Sequence, residues 1–137
     1  MELTLPEGYR PADDEVFMSP AMTEYFRQKL LAWKSDIINQ TRETVASLQR
    51  ENVFHPDPAD TAAAYADQQL ELRTRDRQRK LVGKIDEALR RIEDGTYGYC
   101  EETGDPIHVN RLDARPIATL SIKAQEMHEF AEKLWVS

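Results

Sequence analysis

The sequence predicts an all-α protein: a long antiparallel coiled-coil hairpin projecting from a small globular domain, which also holds a metal-finger-like segment and a C-terminal helix. Three observations predict it. Residues 21–52 contain neither proline nor glycine and carry one apolar stripe at helical spacing. A proline-rich stretch, Phe54-His55-Pro56-Asp57-Pro58, interrupts the pattern, and helical spacing then resumes as far as Gly95. The remaining third is rich in turn residues before a last apolar-periodic run.

Ser19-Pro20 opens the first helix, because serine can accept from a free N–H of the first turn and proline is tolerated at the first helical position. Phe26, Leu30, Trp33, Ile37, Thr41, Val45 and Leu48 follow at steps of three and four, giving roughly 45 Å of helix at 1.5 Å per residue. His55 and Asp57 each precede a proline and are pushed out of helical geometry, so the helix stops there. Asp57 then caps a second helix with Pro58 in its first position and Asp60 in the first turn, where the helix dipole favours a carboxylate. That helix passes through Ala62, Ala63, Ala66, Gln69 or Leu70, Leu81, Ile85, Leu89 and Ile92 to the stop at Gly95. Two such helices joined by a short turn lie antiparallel. Alanines near the turn and polar residues in the middle make the pair thin, so it extends from the body as a coiled coil.

The expected division is an N-terminal segment, 1–20, packing on the globular part; the hairpin, 21–94, with its tip near 53–62; and the finger-like region with its final helix, 95–137. The body is expected where Leu81–Ile92 meets Phe17, Phe26, Leu30 and a last helix from about Pro116 to Trp135. That helix carries Ile117, Leu120, Met127, Phe130 and Leu134, and Trp33 and Trp135 are expected in the core.

The segment 97–124 has the layout of a four-cysteine finger, with Cys100 and Thr103 where one Cys-x-x-Cys pair would stand and Ser121 and Ala124 where the second would. Cys100 is the one cysteine of the chain. Structural zinc takes four thiolate or imidazole ligands, which Thr, Ser and Ala cannot supply, and His108 adds at most one donor. No bound zinc is expected. Nothing resembling a resolving thiol stands beside Cys100, and Glu101 and Glu102 are expected to oppose its ionisation, so it reads as a packed thiol.

At 137 residues the chain supports one domain with one extended element. Its net charge of −7 argues against general nucleic-acid binding, which rests on basic contacts to phosphate. The basic residues concentrate in 61–95, with 8 basic against 7 acidic, and are densest at Arg73, Arg75, Arg77, Arg79 and Lys80. Such a stretch is a solvated helix face or a docking surface. There is no apolar run of membrane-spanning length, Glu2 and Glu7 speak against a secretory signal, and a lone cysteine fits a reducing cytoplasm.

Four stretches together are similar to the DksA family of bacterial RNA polymerase regulators, within the DksA/TraR group: HPDPADTAA at 55–63, LELRTRDRQRKLVGKIDEAL at 70–89, DGTYGYCEETGDPI at 94–107 and RLDARPIATL at 111–120. The likeness is nearly collinear over 26–127, and the chain resembles a zinc-less, single-cysteine member. The resemblance implies a regulator that enters the secondary channel of RNA polymerase and modulates open-complex stability at rRNA and amino-acid promoters with the alarmone ppGpp, without binding DNA. It places the family's functional tip on Asp57, Asp60 and Ala62, and polymerase docking on Arg73 and Arg77. Leu81, Lys84 and Arg115 match positions that help hold ppGpp against polymerase; a fourth, basic in the family, is Gln125 here, with Lys123 nearby. The chain carries no nucleophile, base and pocket set, so it is expected to be a monomeric, non-enzymatic modulator of another protein's active site. From the residues alone, a generic coiled-coil adaptor or dimerisation module is the alternative, with a transcript-cleavage factor working through tip acids third.

Overall fold

The computed structural model describes residues 4–51 and 58–136, which are mostly helical. Among the described residues four helices follow one another: α1 (Pro20–Glu51), α2 (Pro58–Asp94), α3 (Val109–Ala114) and α4 (Ile122–Val136). Among the described residues there is no strand, and one isolated antiparallel bridge joins Tyr99 to Pro106. No helix among them is long and apolar enough to cross a membrane.

The helix boundaries follow their local chemistry. Ser19 Oγ accepts the Met22 N–H at 3.2 Å, a first-turn cap, and Pro20 takes the first helical position. At the end of α2, Gly95 adopts φ 79° while Thr96 N–H donates to Arg91 O at 2.9 Å, closing a helix end that a side chain at that φ would strain. The expected cap at Asp57 lies outside the described residues.

The chain divides into two compact units. One spans Ala32–Ile85; the other combines the chain up to Leu31 with everything from Asp86 onward. The first unit takes α1 from Ala32 onward and α2 as far as Ile85. Its helices run antiparallel, tied by Thr41 Oγ1 donating to Gln78 Oε1 at 2.9 Å and Gln78 Nε2 donating to Gln40 Oε1 at 3.4 Å. Ile37 is buried and Trp33, Thr41 and Val45 are half-buried, so the α1 stripe faces inward as the periodicity predicts. Through the middle of α2 Gln68, Glu71, Thr74 and Gln78 are half-buried, with Leu81 half-buried and Ile85 buried further along, whereas Gln69 and Leu70 are exposed. Along that stretch the hairpin interior is polar: Gln78 is hydrogen-bonded across the pair, whereas Glu71 Oε2 is buried without a hydrogen-bond partner among the described residues.

The second unit holds the apolar core. Met22, Phe26 and Leu30 of α1 and Ala88 of α2 are buried, together with Tyr97, Cys100, Ile107, Val109, Leu112, Ala118 and Ala124. Phe26 stacks at a tilt on Tyr97 with ring centroids 5.7 Å apart, and the Tyr97 hydroxyl donates to Pro116 O at 2.8 Å, satisfying the polar end of a buried ring. Asp113 of α3 accepts Tyr25 Oη at 2.6 Å and Lys29 Nζ at 2.7 Å, fastening α3 to α1.

Two expectations are corrected here. The final helix begins at Ile122 rather than near Pro116, with Ser121 Oγ accepting Ala124 N–H at 3.2 Å as its cap, while the separate α3 ends at Ala114 because Arg115 precedes proline and leaves helical geometry at φ −140°. Trp135, expected in the core, is exposed, as are Met127, Phe130 and Leu134. Among the described residues of α4 only Ala124 is buried, so the apolar stripe beyond it faces outward.

Candidate functional site

The hairpin unit carries a surface built by α2 alone. Arg73 and Arg77 stand one turn apart, both exposed, along an open groove of about 640 Å³ completed by Gln69, Leu70, Leu72 and Asp76. Asp76 is committed elsewhere: its carboxylate pairs with Arg79 at 2.8 Å and Lys80 at 3.3 Å, and Lys80 foremost holds it below the usual carboxylate range. Arg77 contacts only the Thr74 hydroxyl, at 3.4 Å, among described residues. The two guanidiniums are therefore presented to solvent beside two exposed leucines rather than neutralised within the helix. Leu70 and Leu72 were missed by periodicity, which took Leu70 as an inward position. Their signal lies in two large apolar residues beside a basic run, a pairing that suits an interface.

Nearer the start of α2, Asp60 lies in the first turn and Ala62 follows, both exposed; Asp57 is outside the described residues. Leu81 is half-buried and Lys84 exposed in the hairpin unit. Arg115 and Gln125 belong to the other unit. Arg115 is exposed at the C-terminal end of α3, where its N–H donates to Arg111 O at 2.8 Å, and Gln125 is half-buried on α4, donating to Glu129 at 3.3 Å.

In the finger-like segment the four expected ligand positions do converge, but as a hydrogen-bonded knot. Cys100 N–H donates to Asp105 O at 2.8 Å and Gly104 N–H to Cys100 O at 2.9 Å, so the chain folds back around the thiol. Gly98, at φ 91°, lets this turn lie against the N-terminal segment: a Cβ there would sit 2.7 Å from Met18 Cε and 3.2 Å from Phe17 Cζ. The Cys100 side chain is buried, and the Thr103 hydroxyl first, then the Ser121 N–H, bring its thiol down to about 6 against the opposing effect of burial. Ser121 Oγ accepts Ala124 N–H at 3.2 Å as the cap of α4, and Thr103 Oγ1 accepts Asp105 N–H at 3.3 Å. One thiol, two hydroxyls already engaged and one methyl do not make a zinc donor set. Among the described residues no three His, Cys, Asp or Glu side chains gather as metal ligands.

The expectation that Glu101 and Glu102 oppose thiolate formation is corrected. Glu101 pairs with Arg91 at 2.6 Å, and Glu102 pairs with His128, whose pKa it raises, so each carboxylate has a basic partner of its own. His108 supports the turn, as the cap of α3: its Nδ1 accepts Asn110 N–H at 3.2 Å and its Nε2 lies 3.4 Å from Asp13.

Comparison with known proteins follows this division of the chain. Residues 22–92 match the family described as "DnaK suppressor protein DksA, N-terminal domain", and 95–130 match "Prokaryotic dksA/traR C4-type zinc finger". The RNA polymerase-binding transcription factor DksA of Caulobacter vibrioides is 61% identical over 92% of this chain and 89% of its own length. The chain belongs to the DksA family. DksA of Escherichia coli K12 is 41% identical over 93% of this chain and 84% of its own. The solved structure of transcription factor DksA2 from Pseudomonas aeruginosa superposes with a TM-score of 0.81 at 38% identity, covering 85% of this chain and 90% of that one. The DksA2 match fits a coiled coil joined to a small domain. The match to the C4-type finger covers a stretch in which Cys100 is the one cysteine.

Proposed function

We propose that this chain is a transcription regulator that binds RNA polymerase and modulates the stability of open complexes, not an enzyme. The observation that carries this reading is 61% identity, over 92% of the chain, to a protein named for binding RNA polymerase as a transcription factor. The surface chemistry supports it: Arg73 and Arg77 are exposed beside Leu70 and Leu72, which suits docking at the rim of a partner. The hairpin enters the secondary channel tip first. There Asp57 and Asp60, with Ala62, present carboxylates to the catalytic region, where confinement makes a charge act strongly. One copy engages polymerase, in the cytoplasm, and makes no DNA contact of its own, in keeping with a net charge of −7.

The effector is ppGpp, held against polymerase by Leu81, Lys84 and Arg115, and rRNA and amino-acid promoters are the targets. Gln125 replaces a basic position of that site, which lowers the expected affinity unless Lys123 supplies the charge. The finger is of the zinc-less, single-cysteine type, organised by the hydrogen bonds around Cys100. An adaptor role would leave Asp57 and Asp60 without a task. Measuring affinity for purified polymerase tests the reading: Arg73→Ala with Arg77→Ala should weaken binding, Asp57→Asn with Asp60→Asn should weaken it much less, and unchanged binding in the arginine variant would refute the docking assignment.

A further inference from the structure

We propose that Lys29, together with Tyr25, is a positioning residue for the anionic effector: acting through Asp113, the two side chains fix the C-terminal turn of α3 and so the way in which Arg115 is presented. The proposal rests on the reading that Arg115 meets the phosphates of ppGpp, and it adds to that site two residues of α1. α3 is six residues long, too short to be stable through its own hydrogen bonds, and its last carbonyls need partners outside the helix. Leu112 is fully buried and holds the helix down, but an apolar contact has no direction and leaves the helix free to rock about it. The polar contacts remove that freedom. Lys29 Nζ donates at 2.6 Å to the backbone carbonyl of Asp113 and at 2.7 Å to its Oδ1, and Tyr25 Oη donates to the same Oδ1 at 2.6 Å. A cation on the last turn of a helix is also favoured by the helix dipole.

Arg115 follows Asp113 by two residues, and its backbone is held on both sides. Its N–H donates to Arg111 O at 2.8 Å and its carbonyl accepts Ala118 N–H at 2.9 Å. Beyond it Pro116 is buried with its carbonyl accepting Tyr97 Oη at 2.8 Å, and Arg111 Nε donates to Leu120 O at 2.9 Å. The Arg115 side chain is nevertheless exposed. A fixed base under an exposed guanidinium is what a phosphate contact of defined direction requires. The clamp also occupies Asp113. A carboxylate left unpaired two residues from Arg115 would draw the guanidinium toward itself and repel a phosphate; bonded to Lys29 and Tyr25, it does less of both. Stability is a weak reason for the arrangement, because the side chains of Lys29 and Asp113 are 37% and 34% exposed, and ion pairs so open to water contribute little to folding.

Titrating ppGpp against the polymerase complex, with binding to polymerase alone subtracted, tests this in wild type, Arg115→Ala, Lys29→Met and the double variant. Lys29→Met keeps the aliphatic stem and removes the charge, so melting behaviour and affinity for polymerase without ppGpp should stay as in wild type. If the released turn spends about a third to a tenth of its time in the competent position, ppGpp affinity falls roughly three- to tenfold. Tyr25→Phe should weaken it less, and it carries the same comparison if Lys29→Met melts early. Lys29→Arg should keep the wild-type value, since a guanidinium can reach both acceptors. In the Arg115→Ala background, Lys29→Met should change nothing further. That comparison separates positioning from general support of the fold. A loss of the same size with and without Arg115 overturns the proposal, as does wild-type ppGpp affinity in Lys29→Met when Arg115→Ala is weakened. Equal affinity in wild type and Arg115→Ala overturns the ppGpp reading itself, and the positioning role with it.

Discussion

Lowering the pH from 9 to 6 should destabilise this protein through one buried atom, the Cys100 sulfur. Its thiol is brought from the model-compound value of 9.0 down to about 6 by the Thr103 hydroxyl and the Ser121 N–H. A group with a depressed folded pKa adds stability above its unfolded pKa and loses it as pH falls through the folded one. The full difference corresponds to about 4 kcal/mol above pH 9, of which most is lost by pH 7 and nearly all by pH 6. His128 titrates with the opposite sign: its raised pKa adds stability at low pH that is lost as pH rises through its folded value. The informative quantity is therefore the difference between wild type and Cys100→Ala, from which the larger, Glu102 part of the His128 effect cancels while the smaller contribution of the thiolate to His128 remains. Urea unfolding at half-unit intervals from pH 6 to 8 should show that difference growing by about 2 kcal/mol, with thiolate absorbance near 240 nm rising around pH 6. A thiol titrating at 8.5 or above, or parallel curves for the two proteins, would refute the reasoning.

Other outcomes follow from the same structure. Chelator should leave the melting temperature unchanged, and stoichiometric zinc in purified protein would overturn the metal-free reading of the finger. Gly98→Ala should cost about 1–3 kcal/mol in urea unfolding, because it combines a strained φ with a Cβ pressed on Met18 and Phe17. Lys84→Ala or Arg115→Ala should reduce ppGpp affinity of the polymerase complex roughly ten- to hundredfold, the worth of one charge-assisted contact, and Gln125→Lys should strengthen it. Equal ppGpp affinity for wild type and Arg115→Ala would show that the inherited site is not used.

Ser19, Pro20 and Gly95 made the helix boundaries legible, because capping and left-handed stops are decided by residues within one turn of each other. Phe26, Leu30 and Ile37 made the inward face of α1 legible through spacing alone. The surroundings of Cys100 were not legible. Its neighbours in sequence are acidic, yet Glu101 and Glu102 turn to Arg91 and His128, and one of the donors that reach the sulfur comes from Ser121. Periodicity also identified the stripe of α4 without saying whether anything covers it, so Trp135 was taken for core. In the candidate site, the basic run on α2 was visible as charge. Which arginines remain available was not, since the choice of Asp76 between Arg73, Arg77, Arg79 and Lys80 is made by side-chain geometry.

The claim that this chain acts on polymerase through the hairpin tip is tested most directly by the lifetime of open complexes at a ribosomal promoter. The protein should alter that lifetime, more so with ppGpp, and the Asp57→Asn, Asp60→Asn double variant should bind polymerase while leaving the lifetime as it is without any factor. An unaltered lifetime with wild type, or a double variant that regulates as wild type does, would contradict the account.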